Sequence, residues 1–547
     1  MKAPHMKDAP DLRGESEIAW VAALAAFASV ISFLIYFRNG DILLYGDAVA
    51  HINIARRVFD SRTPGLLQLG TVWLPLPHLL MIPFLISKSA WQTGVGGSFP
   101  SMVAYVFSIA GIFRLVRGAV AASGRAQQTA SVTAWFAAGI YGLNPNLLYL
   151  QSTAMTEALY LALFVWAVVY FSEFLPAASG HEWSSAAKRL LWKCGGCLAG
   201  ACLTRYDGWF LAACIAGAVI VVGWRSGAQG TWRTVSTFVL LAAAGPLLWL
   251  SYNRIVYRNS LEFANGPYSA RAIEQRNAVA GFPPHPGTHN LPVAGLYFLK
   301  AAEFSVAEGT LERLWLFLAV VGFLPVFLDR RLAALLLLWV PLPFYMLSVA
   351  YGGVPIYTPA WWPHSLYNLR YGVQLLPALT VFVVLAVQYL VSIAPSGYAK
   401  WVIAVLGTAV VIISYAGLWK AQPGCYREAS VNSRTRLQLE RALAEQLKGL
   451  PPRASILMYL GEHVGALQDA GIPLDRTINE GNHRVWKQPS DAEGLWERSL
   501  ADPGRYADFA IAFEGDPVWR AVHERGLPSL VIIAVNGEHK AAIYRTH

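Results

Sequence analysis

Asp47, Glu157, Arg205, Asp207 and Arg370 are scattered across the chain, but each stands where a long apolar run meets a polar stretch. Charged side chains at that depth are rare in membrane proteins and usually line a cavity. Their types suit one kind of chemistry. A carboxylate takes or orients the proton of an attacking hydroxyl. Arginine offers fixed, planar donors to phosphate oxygens. Together they can activate a hydroxyl on one side and hold a lipid-linked phosphate on the other.

Asp47 lies in Tyr45-Gly46-Asp47, a few residues after the first apolar run ends near Tyr36. The stretch continues as Asp47-Ala-Val-Ala-His51-Ile-Asn53-Ile-Ala-Arg56-Arg57, which predicts a helix along the membrane surface. Asp47 and His51 are four apart and share one face of it. Plainer readings stand beside each residue. Asp47 can be a helix N-cap, and Glu157 a charge favoured by the dipole at the start of a span. Arg205 and Asp207 can pair to fix a turn, and Arg370 can snorkel to the headgroups. His51 reads more readily as a packed residue than as a ligand. Tyr371, beside Arg370, and Tyr268, in the outer segment Glu262-Phe-Ala-Asn-Gly266-Pro-Tyr268-Ser, are candidate substrate contacts. That outer segment is expected to close over the site. His78, His285, His289 and His364 fall in three outer loops without metal-ligand spacing. No cofactor is expected, and a divalent metal has little support. Cys194-Gly-Gly-Cys197 matches half of a redox or metal motif, but no second pair accompanies it.

The elements that must position these residues are transmembrane helices. The chain has 547 residues, 55% of them hydrophobic and 14% charged, where a soluble protein carries about 25% charged residues. Apolar runs of about 20 residues suffice to cross a bilayer and give about eleven crossings. Their expected centres are Phe27, Ile109, Ala138, Phe164, Ala199, Ala218, Ala243, Leu318, Leu338, Val384 and Val410. Twenty Trp fit interfacial belts. The net charge of +10 is scattered over short loops, so nucleic acid is not an expected partner. The basic turns, such as Arg330-Arg331 and the stretch around Lys188 and Lys193, are assigned to the cytoplasm, which puts the N-terminus inside. Arg205-Tyr206-Asp207 is expected to join two shortened helices inside the membrane profile.

Two outer loops, 40–99 and 253–308, are too long for simple turns. The first is expected to carry interfacial helices. Beyond Leu418 apolar runs shorten and charge rises. Arg434 to Leu450 reads as an amphipathic helix. Ser455–Leu460, Ala507–Phe513, Ser529–Ala534 and Ala541–Arg545 read as strands, with helical stretches near Asp491–Leu500 and Pro517–Arg525. The fold class is therefore a polytopic α-helical membrane protein. It divides into a transmembrane part, 1–418, and a soluble extracytoplasmic α/β domain, 419–547.

Three strings extend this reading: Tyr-Gly-Asp47-Ala-Val-Ala-His-Ile-Asn-Ile-Ala-Arg-Arg, then Asn144-Pro145-Asn-Leu-Leu-Tyr-Leu-Gln-Ser-Thr-Ala-Met-Thr-Glu157, then Leu-Thr-Arg205-Tyr-Asp207-Gly-Trp. In order and in placement they resemble the GT-C superfamily of membrane glycosyltransferases. That group includes protein O-mannosyltransferases and aminoarabinose transferases. The resemblance implies an integral enzyme of the inner membrane with a polyprenyl-phosphate sugar donor and a lipid, glycan or protein acceptor outside the cytoplasm. It implies Asp47 as the acidic residue of the first outer loop and Glu157 as the second acidic position, both catalytic. It implies Arg370 as a donor-phosphate contact; Arg205, Asp207, His51, Tyr371 and Tyr268 stand beside it as candidate substrate-binding residues read from the sequence. Asp47 is followed by Ala48, where some members carry a doubled acidic pair. A rival from another class is a flippase or transporter of lipid-linked saccharides.

Overall fold

A computed structural model describes residues 12–178, 183–227, 230–461, 463–482 and 493–547. The chain is a polytopic α-helical membrane protein with a small C-terminal α/β unit. Among the described residues nine helical segments are long and apolar enough to span a bilayer: Ser16–Arg38, Val95–Ala122, Glu157–Ala177, Asp207–Ser226, Thr231–Tyr257, Thr310–Leu328, Arg330–Tyr351, Leu369–Ile393 and Gly397–Lys448. The expected centres at Ala138 and Ala199 do fall on helices, but on Gln127–Gly142 and Ser185–Cys202, which are not among the nine. The former has only 16 residues, short of the roughly 20 a bilayer needs. The latter carries Lys188, Arg189 and Lys193 in its first half. Outward-facing apolar residues such as Trp20, Phe27, Leu240, Leu248 and Phe327 would be a liability in water, and a lipid surface accepts them.

The first long loop folds against the bundle. Its surface helix, Gly46–Arg57, has Asp47 in the first turn and Arg56 and Arg57 in the last, matching the helix dipole at both ends. Most of it, including Val49, Ile52, Asn53 and Ala55, is buried. Gly97 makes this approach possible: a Cβ there would lie 2.5 Å from Ile52. Asn53 then ties three elements together. It accepts from Trp91 Nε1 at 3.0 Å and donates to Gln468 Oε1 at 2.7 Å.

Gln468 belongs to the C-terminal unit, which is therefore docked on the surface helix. That unit holds a five-stranded sheet in the order β2-β1-β3-β5-β4. Its strands are β1 (Ile456–Met458), β2 (Thr477–Ile478), β3 (Phe509–Phe513), β4 (Ser529–Ile533) and β5 (Ala541–Arg545). β1 runs parallel to β2 and β3, and β5 is antiparallel to β3 and β4. The strand β2 carried no readable alternation because it is two residues long. The helices Leu495–Ala501 and Pro517–Glu524 match the expected stretches, except that Asp491 and Ala492 lie outside the described residues.

Two further features shape the site. The linker helix runs Gly424–Lys448, so it begins well before Arg434 and carries buried Cys425 and Glu428 in its first turns. In the second long loop, the helix Ala270–Val279 has no buried residue and lies over a cavity as a cover.

Candidate active site

The site forms where helix N-termini converge. Glu157 and Asp207 occupy the first turns of two membrane helices, and Asp47 the first turn of the surface helix. Carboxylates are stabilised at that end of a helix. Two arginines lie among them. Arg205 sits in the tight turn between Ser185–Cys202 and Asp207–Ser226. Arg370 sits on a short 3-10 helix, Leu369–Leu375, preceded by Asn368 in the left-handed conformation. Gly372 presses this turn against the Leu291–Val306 helix, since a Cβ there would lie 2.3 Å from the Ala301 carbonyl carbon.

The charges form one connected network. Arg370 Nη2 donates to Asp47 Oδ2 at 2.5 Å, and Nη1 donates to Glu428 Oε1 at 3.0 Å. Glu428 also accepts the backbone N–H groups of Asn368 and Arg370, so it caps the short helix and holds its guanidinium at once. Arg370 Nε lies 3.5 Å from Glu157 Oε1. The same oxygen accepts from Arg205 Nη1 at 3.1 Å. Arg205 Nη2 donates to the Tyr345 hydroxyl at 2.8 Å, which donates on to Asp207 Oδ2 at 3.3 Å. The ring of Tyr371 lies 5.0 Å from both guanidinium carbons, close enough for cation–π attraction. Four carboxylates thus face two guanidiniums.

Exposure separates the members. The side chain of Asp47 is 39% exposed, whereas Arg370 is 9%, Glu428 2% and Glu157 0% exposed. Asp47 is therefore the open carboxylate of the set. It stands between two cavities. One, of about 150 Å3, is lined by Asp47, His51, Trp73, Glu157, Arg205 and Asp207, among others. The other, of about 1350 Å3, reaches from Asp47 and Arg370 past Arg57 to Tyr268 on the cover and to Tyr459 and Glu480 of the α/β unit.

Every residue given a catalytic or substrate-binding role from the sequence lies in the network or lines a cavity. Asp47, Glu157, Arg205, Asp207, Arg370 and Tyr371 share the network. His51 lines the small cavity, and Tyr268 the wall of the large one, away from the charges. Glu157 bonds to no atom of Asp47; it bridges the two arginines. His51 Nδ1 is 2.8 Å from His78 Nε2. Burial, with Arg370 and Arg205 nearby, pushes His51 down to about 3, and burial lowers His78 as well. The two rings are thus a neutral pair. Among the described residues no cluster of three His, Cys, Asp or Glu side chains is arranged to hold a metal ion.

Sequence reasoning missed Glu428, Tyr345 and Tyr45, whose ring lies 5.1 Å from Arg370 Cζ. Tyr45 adjoins the Asp47 motif and was within reach. Glu428 left one indirect signal: a buried Arg370 demands more anionic partners than Asp47 alone.

No protein-family model matches the chain, and no curated protein does. Solved structures do. ArnT from Cupriavidus metallidurans bound to undecaprenyl phosphate superposes with a TM-score of 0.55 at 12% identity, covering 97% of this chain and 98% of that one. The apo state of the same protein gives 0.51 at 13% identity over the same shares. The chain thus shares the fold of that protein along nearly its whole length, at identities where likeness speaks for the fold.

Proposed function

We propose that this chain is an inverting membrane glycosyltransferase that moves a sugar from a polyprenyl-phosphate donor to an extracytoplasmic acceptor: a lipid, glycan or protein. The observation that carries the reading is Asp47. It is the open carboxylate where two cavities meet, and it is held by Arg370, whose other donors face buried carboxylates. The shared fold with an undecaprenyl-phosphate-binding ArnT supports the donor class.

In this mechanism the acceptor hydroxyl approaches Asp47 from a cavity, and the donor phosphate comes to Arg370. Phosphate competes with Asp47 for Nη2, which frees the carboxylate to accept the hydroxyl proton. The acceptor oxygen bonds to the anomeric carbon as the bond from that carbon to the phosphate oxygen breaks. The proton ends on Asp47 and the charge on the polyprenyl phosphate, where Arg370 stabilises it. Glu157 keeps Arg205 and Arg370 in register, and Asp207 with Tyr345 fixes Arg205 from behind. These are positioning roles. The surface helix and the α/β unit lie outside the cytoplasm in this reading, with the N-terminus inside and the protein in the inner membrane.

The test is a panel of radiolabelled polyprenyl-phosphate sugars offered to purified protein with membrane extract as acceptor. Glycosyl transfer predicts release of label from the lipid. A flippase would move the intact lipid across a vesicle and release none, and that result would overturn the reading.

A further inference from the structure

The four arginines that line the two cavities are not alike. Arg370 donates to Asp47 and Glu428, Arg205 to Thr156, Glu157 and Tyr345, and Arg276 to the Pro267 carbonyl. Arg57 lines the large cavity and makes no hydrogen bond among the described residues. Its Nε is fully buried without an acceptor, as are those of Arg205 and Arg370, but unlike theirs its Nη groups donate to nothing among the described residues. The nearest counter-charge, Glu480 Oε1, lies 3.9 Å from Nη1, beyond the roughly 2.7–2.9 Å of a charge-assisted hydrogen bond. The other oxygen of Glu480 already accepts the Leu460 N–H at 2.9 Å.

Arg56, the preceding residue, shows what the same helix does with a structural arginine. It bonds to Asp60 and to the carbonyls of Leu85 and Ile86. A guanidinium carries five N–H donors in one planar fork. Burying such donors without acceptors is costly, and a ligand that brings acceptor oxygens removes that cost. A planar fork suits phosphate and carboxylate.

We infer that Arg57 is the centre of a second, oxyanion-binding subsite in the large cavity, which takes a phosphate or carboxylate group of the acceptor. Arg57 follows Asp47 by ten residues on one helix, which at 1.5 Å per residue separates them by about 15 Å. A phosphate at Arg370, beside Asp47, cannot also reach Arg57. A donor whose one anionic group is held at Arg370 therefore leaves Arg57 to the anion of another molecule. Tyr257 and Tyr268 line the same cavity, and the Glu480 carboxylate of the α/β unit stands beside Arg57. That the anion is carried by the acceptor rests on the transferase reading above; the subsite itself does not.

The experiment is native mass spectrometry of the full-length, detergent-solubilised protein titrated with farnesyl phosphate, with uncharged farnesol as control. The wild type should take two farnesyl phosphates and Arg57→Gln one, with the second adduct weakened roughly tenfold or more. Glu480→Gln removes the competing carboxylate and should tighten the second adduct, which keeps the proposal testable if Arg57→Gln fails to fold. A single adduct in the wild type, a second adduct that survives in Arg57→Gln, a second adduct with farnesol, or no tightening in Glu480→Gln would each overturn it. An Arg57-dependent second adduct in a protein that releases no sugar from any donor would sink the transferase reading and leave the subsite standing.

Discussion

The charged network of the bundle and the wall of the large cavity are built on opposite plans. In the network every Nη group of Arg205 and Arg370 has an acceptor, and Arg370, Glu157, Asp207 and Glu428 are buried. In the cover, the helix Ala270–Val279 buries none of its residues, and Tyr268, Ile273 and Phe282 remain exposed along the cavity. The difference separates two tasks. Fixed charges stabilise a transition state without reorganising at the moment of reaction. An adaptable wall can admit a bulky lipid and a second substrate, and it carries little of the stability.

Removing the hub should break the comparison most severely. Arg370→Met strips Glu428 of its cation and Asp47 of its partner. Losing one side of a buried pair costs about 3–5 kcal/mol, so thermal unfolding in detergent should show a large drop in Tm or no folded protein. Glu428→Gln comes next. It keeps an acceptor for the Asn368 and Arg370 N–H groups but loses charge, at about 1–3 kcal/mol in the same assay. A Tm unchanged in both variants would mean that the network is not what holds this end of the bundle together.

A pH titration sharpens the contrast from the side of the surface helix. The folded protein keeps His51 neutral down to about 3, whereas the unfolded chain protonates it near 6.5. Unfolded protein therefore binds more protons between those values. The stabilising contribution is complete above pH 6.5 and is lost as pH falls, at about 1.4 kcal/mol per unit. His51→Gln should flatten part of that slope; an unaltered slope would assign the acid sensitivity elsewhere. The cover should respond least. Ile273→Ala should shift stability by no more than about 0.5 kcal/mol, and its effect should appear as a raised KM in the sugar-release assay.

Legibility in the sequence followed the same divide. Asp47, Glu157, Arg205, Asp207 and Arg370 stood out because an ion at the end of an apolar run has few reasons to be there. Glu428 did not, because its neighbours in the linker helix are polar and its burial comes from the docked 3-10 turn. Tyr345 lay inside an apolar run where a tyrosine reads as an interfacial anchor. The helices were readable from length and hydropathy, yet Gln127–Gly142 is too short and Ser185–Cys202 too charged to stand among the spans. Apolar content marks burial in protein and in lipid alike, so hydropathy alone counted both. The two-residue strand β2 was beyond any pattern, since alternation needs more residues than it has.

The central claim is that Asp47 is the base. The direct measurement is single-turnover release of radiolabelled sugar from a polyprenyl-phosphate donor by wild type and Asp47→Asn, with donor binding measured on the same samples. The account predicts that Asp47→Asn binds the donor and loses about 100-fold or more in rate, the scale of a missing general base. Release at the wild-type rate from a folded, donor-bound Asp47→Asn would contradict it.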